Sequence, residues 1–242
     1  MNKTIAQLFA GSALFALASV AQAHQVWFEQ AADQSVKFYY GEYADNELEK
    51  SPGGLDHFGG LSGEWLKAGS AAPLNMTLGK DSYSVAQKPG KNDSLIAADK
   101  LYPTFEMKKD GKTSVVQWTP ATRWVGDLEA RKPMLDLDIV PTGKIEGDKV
   151  EFQVSYQKAP LADAEVTAVA ASGWTHTAKA DSQGKITFEL PWKGFYVLEA
   201  GHTDATPGER TNAKNVKEAF DVQMFGSSLS FSKDTGSAMK AR

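Results

Sequence analysis

The chain has 242 residues, with 26 Lys+Arg against 30 Asp+Glu and a formal net charge of −4. That mildly acidic balance argues against nucleic acid and anionic membrane surfaces as partners, since both select a basic patch. There is no cysteine, so disulfides and thiolate metal sites are excluded, and any metal must be held by nitrogen, oxygen or thioether ligands.

The first residues read as a secretory signal. Lys3 supplies the positive start, an apolar run extends from Ile5 to Val20, and Ala21-Gln22-Ala23 places small residues where a signal peptidase reads them. A spanning helix needs about 20 apolar residues, and this run is shorter and broken by Gln7, Gly11 and Ser12. Residues 1–23 are therefore expected to be cleaved, giving a periplasmic protein that begins at His24 and has no stable membrane insertion.

Short β-rich runs follow at 36–40, 74–78, 83–87, 114–118 and 135–140, separated by Gly, Pro, Asn and Asp. The pattern predicts an all-β fold, with short helical pieces allowed near 64–68 and 212–219. From Lys149 the runs 150–156, 165–170, 175–179, 186–190 and 195–200 have the spacing of a β-sandwich. The expected organisation is an N-terminal β-rich unit over 24–132, a C-terminal sandwich over 133–231 and a flexible polar tail over 232–242. The two halves are free to share a sheet.

No Gly-rich phosphate loop, serine nucleophile elbow or other local enzyme motif occurs, and an enzyme is not the expectation. His24 is the residue of interest. Cleavage after Ala23 frees its α-amine, and the amine and ring Nδ1 close a six-membered chelate on a divalent cation. An α-amine titrates near ~7.7–8.0 and an imidazole near ~6.5, so both donors become available close to neutral pH. A further histidine would make a three-nitrogen brace suited to Cu(II) or Ni(II).

The other histidines are His57, His176 and His202. His202 follows a strand run and is the next candidate ligand. His176 lies within a strand run and His57 in a Gly-rich loop, where each also reads as an ordinary hydrogen-bonded residue. Glu42, in an aromatic and acidic stretch after a strand, is a candidate ligand or acceptor behind one. The scattered Met76, Met107, Met134, Met224 and Met239 do not form a methionine-rich carrier. Trp27, Trp65, Trp118, Trp124, Trp174 and Trp192 read as packing residues rather than a sugar platform.

Several strings together resemble a known family: Ala23–Glu29, Gly41–Ala44, Glu49–Gly53, Pro120–Trp124, Leu137–Pro141, Pro191–Ala200 with His202, and Pro207-Gly208. They are similar to bacterial exported proteins described as the periplasmic component of a cobalt/nickel uptake transporter, many of which carry only an unknown-function domain label. The resemblance implies an exported all-β protein with an immunoglobulin- or transthyretin-like C-terminal half. It further implies a divalent transition metal (Ni, Co or Cu) as cargo and membrane metal transporter components as partners. The rival readings are a metal-free module that binds an envelope glycan or protein, and, more remotely, a copper oxidoreductase.

Overall fold

The computed structural model describes residues 24–239. The expected signal segment lies outside the described residues. In chain order the strands are β1 Gln25–Gln30, β2 Val36–Glu42, β3 Glu47–Leu48, β4 Leu61–Lys67, β5 Ser70–Pro73, β6 Met76–Leu78, β7 Tyr83–Val85, β8 Ser94–Asp99, β9 Phe105–Lys109 and β10 Lys112–Val125. They continue as β11 Leu137–Glu146, β12 Lys149–Tyr156, β13 Ala159–Pro160, β14 Glu165–Ala170, β15 Thr175–Lys179, β16 Lys185–Glu189, β17 Trp192–Asp204, β18 Gly208–Thr211, β19 Lys217–Phe220, β20 Val222–Lys233 and β21 Ser237–Ala238. The fold is all-β; the helical element among the described residues is a single 3-10 turn, Gly54–His57.

The organising element is a ten-stranded sheet in the order β15-β14-β17-β20-β10-β8-β4-β5, with β9 and β21 attached at its sides. Its centre is the parallel pair β10–β20, running from Val116↔Val222 to Trp124↔Ser230. The early and late halves of the chain therefore meet within one sheet. A smaller sheet built from β1, β2, β7 and β6 carries the N-terminal residues, and another built from β11, β12, β13 and β16 belongs to the C-terminal half.

Strand alternation sends successive side chains to opposite faces, and β20 shows what each face meets. Phe225, Leu229 and Phe231 enter a core with Phe152, Val154, Phe188, Tyr196 and Leu198. Met224 packs toward the other core, which holds Val26, Phe28, Phe38, Tyr40, Tyr102 and Trp118. On that same side Ser228 donates to the Val26 carbonyl at 2.5 Å. The two small sheets thus cover opposite faces of the shared one.

The connector between the halves is fastened by a buried ion pair. Arg123, 1% exposed, donates from Nε and Nη2 to the two carboxylate oxygens of Asp138 at 3.0 and 2.6 Å. Asp138 also accepts from the backbone N–H groups of Met134 and Leu135. Four donors on one buried carboxylate leave little unmet hydrogen-bonding capacity, the condition under which such a pair is tolerated in a core.

Three local expectations are corrected. The segment around 64–68 is strand β4, because pairing with β8 and β5 on both sides satisfies its backbone. Residues 212–219 form a hairpin, in which the Asn212 carboxamide oxygen accepts from the N–H groups of Lys214 and Val216 and turns the chain into β19. The segment after Ser232, expected to fray, is docked through Met239. Lys233 Nζ donates to Asp148 at 2.8 Å, β21 pairs with β17, and Met239 packs on the C-terminal core.

A candidate metal centre at His24

The N-terminal sheet places His24. In the β1–β2 pair Gln25 stands opposite Gly41, so His24, one residue earlier, falls beside Glu42. A tight turn then folds the chain back through β3, with Gly41 opposite Leu48, and the Glu49 N–H donates to the Tyr40 carbonyl at 2.9 Å. This return depends on Gly41. Its φ is +151°, and a Cβ there would lie 2.1 Å from the Glu47 carbonyl oxygen.

The hairpin thereby sets two carboxylates against one imidazole. His24 Nδ1 lies 3.2 Å from Glu42 Oε1, and Nε2 lies 2.8 Å from Glu49 Oε1. The ring also meets the Tyr40 ring edge-on at 5.3 Å between centroids. All three groups are partly open to solvent, with His24 39% exposed. Nδ1 and Nε2 point away from one another, so the two carboxylates cannot converge on a single ion. Accordingly, no set of three or more His, Cys, Asp or Glu side chains is gathered for metal among the described residues.

What the ring offers is one nitrogen on each side. Two cis ligands at about 2.1 Å from an ion stand about 3 Å apart, which suits the separation of Nδ1 from Glu42. The opposite carboxylate, Glu49, occupies the position of an acceptor that fixes a ligating ring by its other N–H. With residues 1–23 attached, the His24 nitrogen is a peptide amide and offers no lone pair.

The other candidates lie elsewhere. His202 shares with Leu198 and Ala200 the face of β17 that looks into the C-terminal core. Its ring packs on Tyr156 at 4.3 Å. His176 is on β15, edge-on to Trp174 and Phe188. His202 nonetheless borders one groove together with His24, whereas His176 is not among the residues that line it. His57 borders a separate cleft of about 460 Å³ together with His24, Tyr40, Tyr102, Phe105 and Trp118. Within that cleft the Tyr40 and Tyr102 hydroxyls are 3.1 Å apart, and Tyr102 stands 3.4 Å from His57 Nδ1. Burial and this mutual bond push the Tyr40 hydroxyl well above the ordinary tyrosine range.

A second space, a groove of about 420 Å³, runs from His24 and Gln25 over the exposed part of the shared sheet. Gln25 donates its side-chain amide to Glu199, and burial raises the Glu199 carboxyl to about 8. Sequence reasoning did not single out Glu49, Tyr40 or Glu199. The β2–β3 turn around Asn46 (φ 59°) is the signal that would have folded Glu49 back onto Glu42. The Gln25–Glu199 pair links positions 174 residues apart and has no local signature.

Of the tryptophans, Trp27, Trp118 and Trp124 are buried. Trp174 and Trp192 meet edge-on, Trp65 donates to Asp93, and the Lys67 ammonium lies over the Trp65 ring. Trp118 also borders both spaces described above.

No curated protein matches the chain. The model of one family, a domain of unknown function designated DUF4198, matches residues 21–204. That stretch covers the His24 hairpin, β10 and most of the C-terminal strands, and the chain belongs to the DUF4198 family.

Proposed function

We propose that this is a periplasmic protein that binds a divalent transition metal (Ni(II), Co(II) or Cu(II)) as cargo and presents it to a membrane transporter. Removal of residues 1–23 supplies the α-amine of His24. The amine and ring Nδ1 then chelate the ion, Glu42 adds an oxygen, and Glu49 holds the ring by Nε2. The remaining coordination positions are left to water or to an incoming ligand. The reading is carried by one observation: Nδ1, the nitrogen that closes the six-membered chelate, faces Glu42, while Nε2 is engaged by Glu49. The similarity of several sequence strings to transporter-associated exported proteins supports the cargo assignment.

The test is isothermal titration of protein beginning at His24 with each of the three ions. A second preparation with one extra residue before His24 turns the amine into an amide. The expected outcome is tight one-to-one binding in the first and a loss of at least about tenfold in the second. Equal binding by both would contradict the chelate. Affinity rank does not name the physiological ion, because Cu(II) leads at most nitrogen sites.

The aromatic cleft beside His57 favours a second reading, in which Tyr40, Tyr102, Phe105 and Trp118 bind an envelope glycan without metal. Fluorescence quenching by oligosaccharides that persists in excess chelator would select it over the first.

A further inference from the structure

The shared sheet ends in two strands of different character. At one end lies β15, which among the described residues pairs with β14 alone. The Ala170 N–H donates to the Trp174 carbonyl and the Ala180 N–H to the Ala164 carbonyl. With the register Ala168↔His176 and Val166↔Ala178, His176 and Ala178 likewise turn their backbone groups toward β14. An antiparallel ladder alternates, so the N–H and C=O groups of Thr175, Thr177 and Lys179 point outward, away from the sheet. At the other end β5 is blunted. The Leu74 N–H donates to the Gly63 carbonyl, the same alternation turns position 73 outward, and Pro73 has no N–H to offer there.

β15 carries none of the devices that protect an edge. It has no proline, its register with β14 runs without a bulge, and Lys179 at its end is the one charged side chain. The strand is exposed except at Ala178, which packs on the C-terminal core. Thr177 Oγ1 lies 2.8 Å from Thr167 Oγ1 on β14, a hydroxyl contact of the kind that stabilises neighbouring strands.

We infer that β15 is a homodimer edge, on which β15 of a second copy lies antiparallel about a two-fold axis through Thr177. The alternation fixes the register. Thr177 opposes its own counterpart, Thr175 opposes Lys179, and every outward N–H and C=O of these residues finds a partner. A slip of one residue sets outward groups against inward ones, and a slip of two leaves an outward residue unpaired on each copy. In this register Lys179 meets a threonine rather than another lysine, and the Thr167–Thr177 hydroxyl row continues across the axis. It is this self-match that selects a second copy as the occupant. The interface closes on itself, and its small size places it among weak ones. The two grooves beside His24 then open on the same face of one continuous sheet. Their Thr167 residues stand three strand spacings, about 14 Å, apart. The dimer does not depend on what His24 holds.

Sedimentation equilibrium of protein beginning at His24, from micromolar to millimolar concentration, tests this together with residue-resolved amide exchange by NMR. The expected result is a monomer–dimer equilibrium in which the amides of Thr175, Thr177 and Lys179 exchange more slowly as concentration rises. His176 and Ala178, bonded to β14, should be protected throughout. Thr177→Pro removes an outward N–H that β14 does not use, so it should abolish association with little change in melting temperature. Thr175→Glu sets a carboxylate opposite Lys179 of the second copy at both ends, and should tighten association at least about threefold at low salt. Thr175→Lys should weaken it by as much, since like charges directly opposite repel. A monomer at every concentration, association indifferent to Thr177→Pro, or a charge response of the opposite sign overturns the inference. A monomer whose outward amides become protected only on adding envelope extract would assign the edge to another protein, and overturns it too.

Discussion

Glu49 Oε1 and His24 Nε2 are 2.8 Å apart although 25 residues separate them in the chain. The contact leaves the Nδ1 edge of the ring facing Glu42, so the imidazole is oriented before any ion arrives. Orientation of this kind is typically worth about 10–100-fold in metal affinity. Glu49→Gln in protein beginning at His24 should weaken Ni(II) binding by that amount with little change in melting temperature. Glu42→Gln should weaken it at least as much, through loss of an oxygen donor. Calorimetric titration of both variants checks this, and unchanged affinity in both would remove the carboxylates from the site.

Gly54 gives a subtler handle. A Cβ at this position would meet the Glu49 carboxylate, with Oε2 at 2.4 Å and Cδ at 2.7 Å. The obstructing group is the end of a flexible side chain, so Gly54→Ala should be accommodated by swinging Glu49 away from His24. The expected outcome is a metal-binding defect like that of Glu49→Gln, with the fold retained. The double variant should be no worse than either single one. Additive losses in the double variant would show that Gly54 acts by another route.

Glu199 makes stability depend on pH. Its carboxyl is raised by burial from 4.5 to about 8, so between those values the native state holds a proton that the unfolded chain has released. The native state is favoured by this fully below pH 4.5, and the advantage is lost as pH rises through 8. Melting temperature should therefore fall between pH 6 and 9, and Glu199→Gln, which does not ionise, should flatten that part of the curve. Thermal melts at several pH values decide it; an identical slope in the variant would place the titration elsewhere.

The Arg123–Asp138 pair predicts an asymmetric result. Asp138→Ala strands a guanidinium that is 1% exposed, and should cost about 3–5 kcal/mol. Replacing both residues together, by Arg123→Met and Asp138→Leu, should cost less than the single change because no charge is left alone. Urea midpoints at unchanged m-value provide the measurement.

Much of the strand content could be read directly. Runs 165–170 and 175–179 coincide with β14 and β15; in β14 the apolar Val166, Ala168 and Ala170 face a buried side, whereas β15 is largely exposed and is held by its pairing with β14. The 64–68 segment leaves a short helical piece open in the sequence, since Glu64-Trp65-Leu66-Lys67 carries no decisive period, and pairing with β8 settles its form as strand. Of the candidate ligands, His24 and Glu42 come together because neighbouring strands in a hairpin set their register. His202, expected to follow a strand end, lies within β17 opposite Phe225, and which face it occupies depends on a core made by Tyr156 and Phe225. Such information is non-local and has no trace in the surrounding residues.

The side-by-side run of Val116–Trp124 with Val222–Ser230 has a consequence for dissection. Cutting the chain in the connector before β11 would strip β10 of the neighbour it runs parallel to, and β20 of the same bond pattern. Each fragment would carry a long bare rim of unpaired amides of the kind that invites self-association. Expression of either half alone should give aggregates, whereas co-expression of the two should recover a soluble pair.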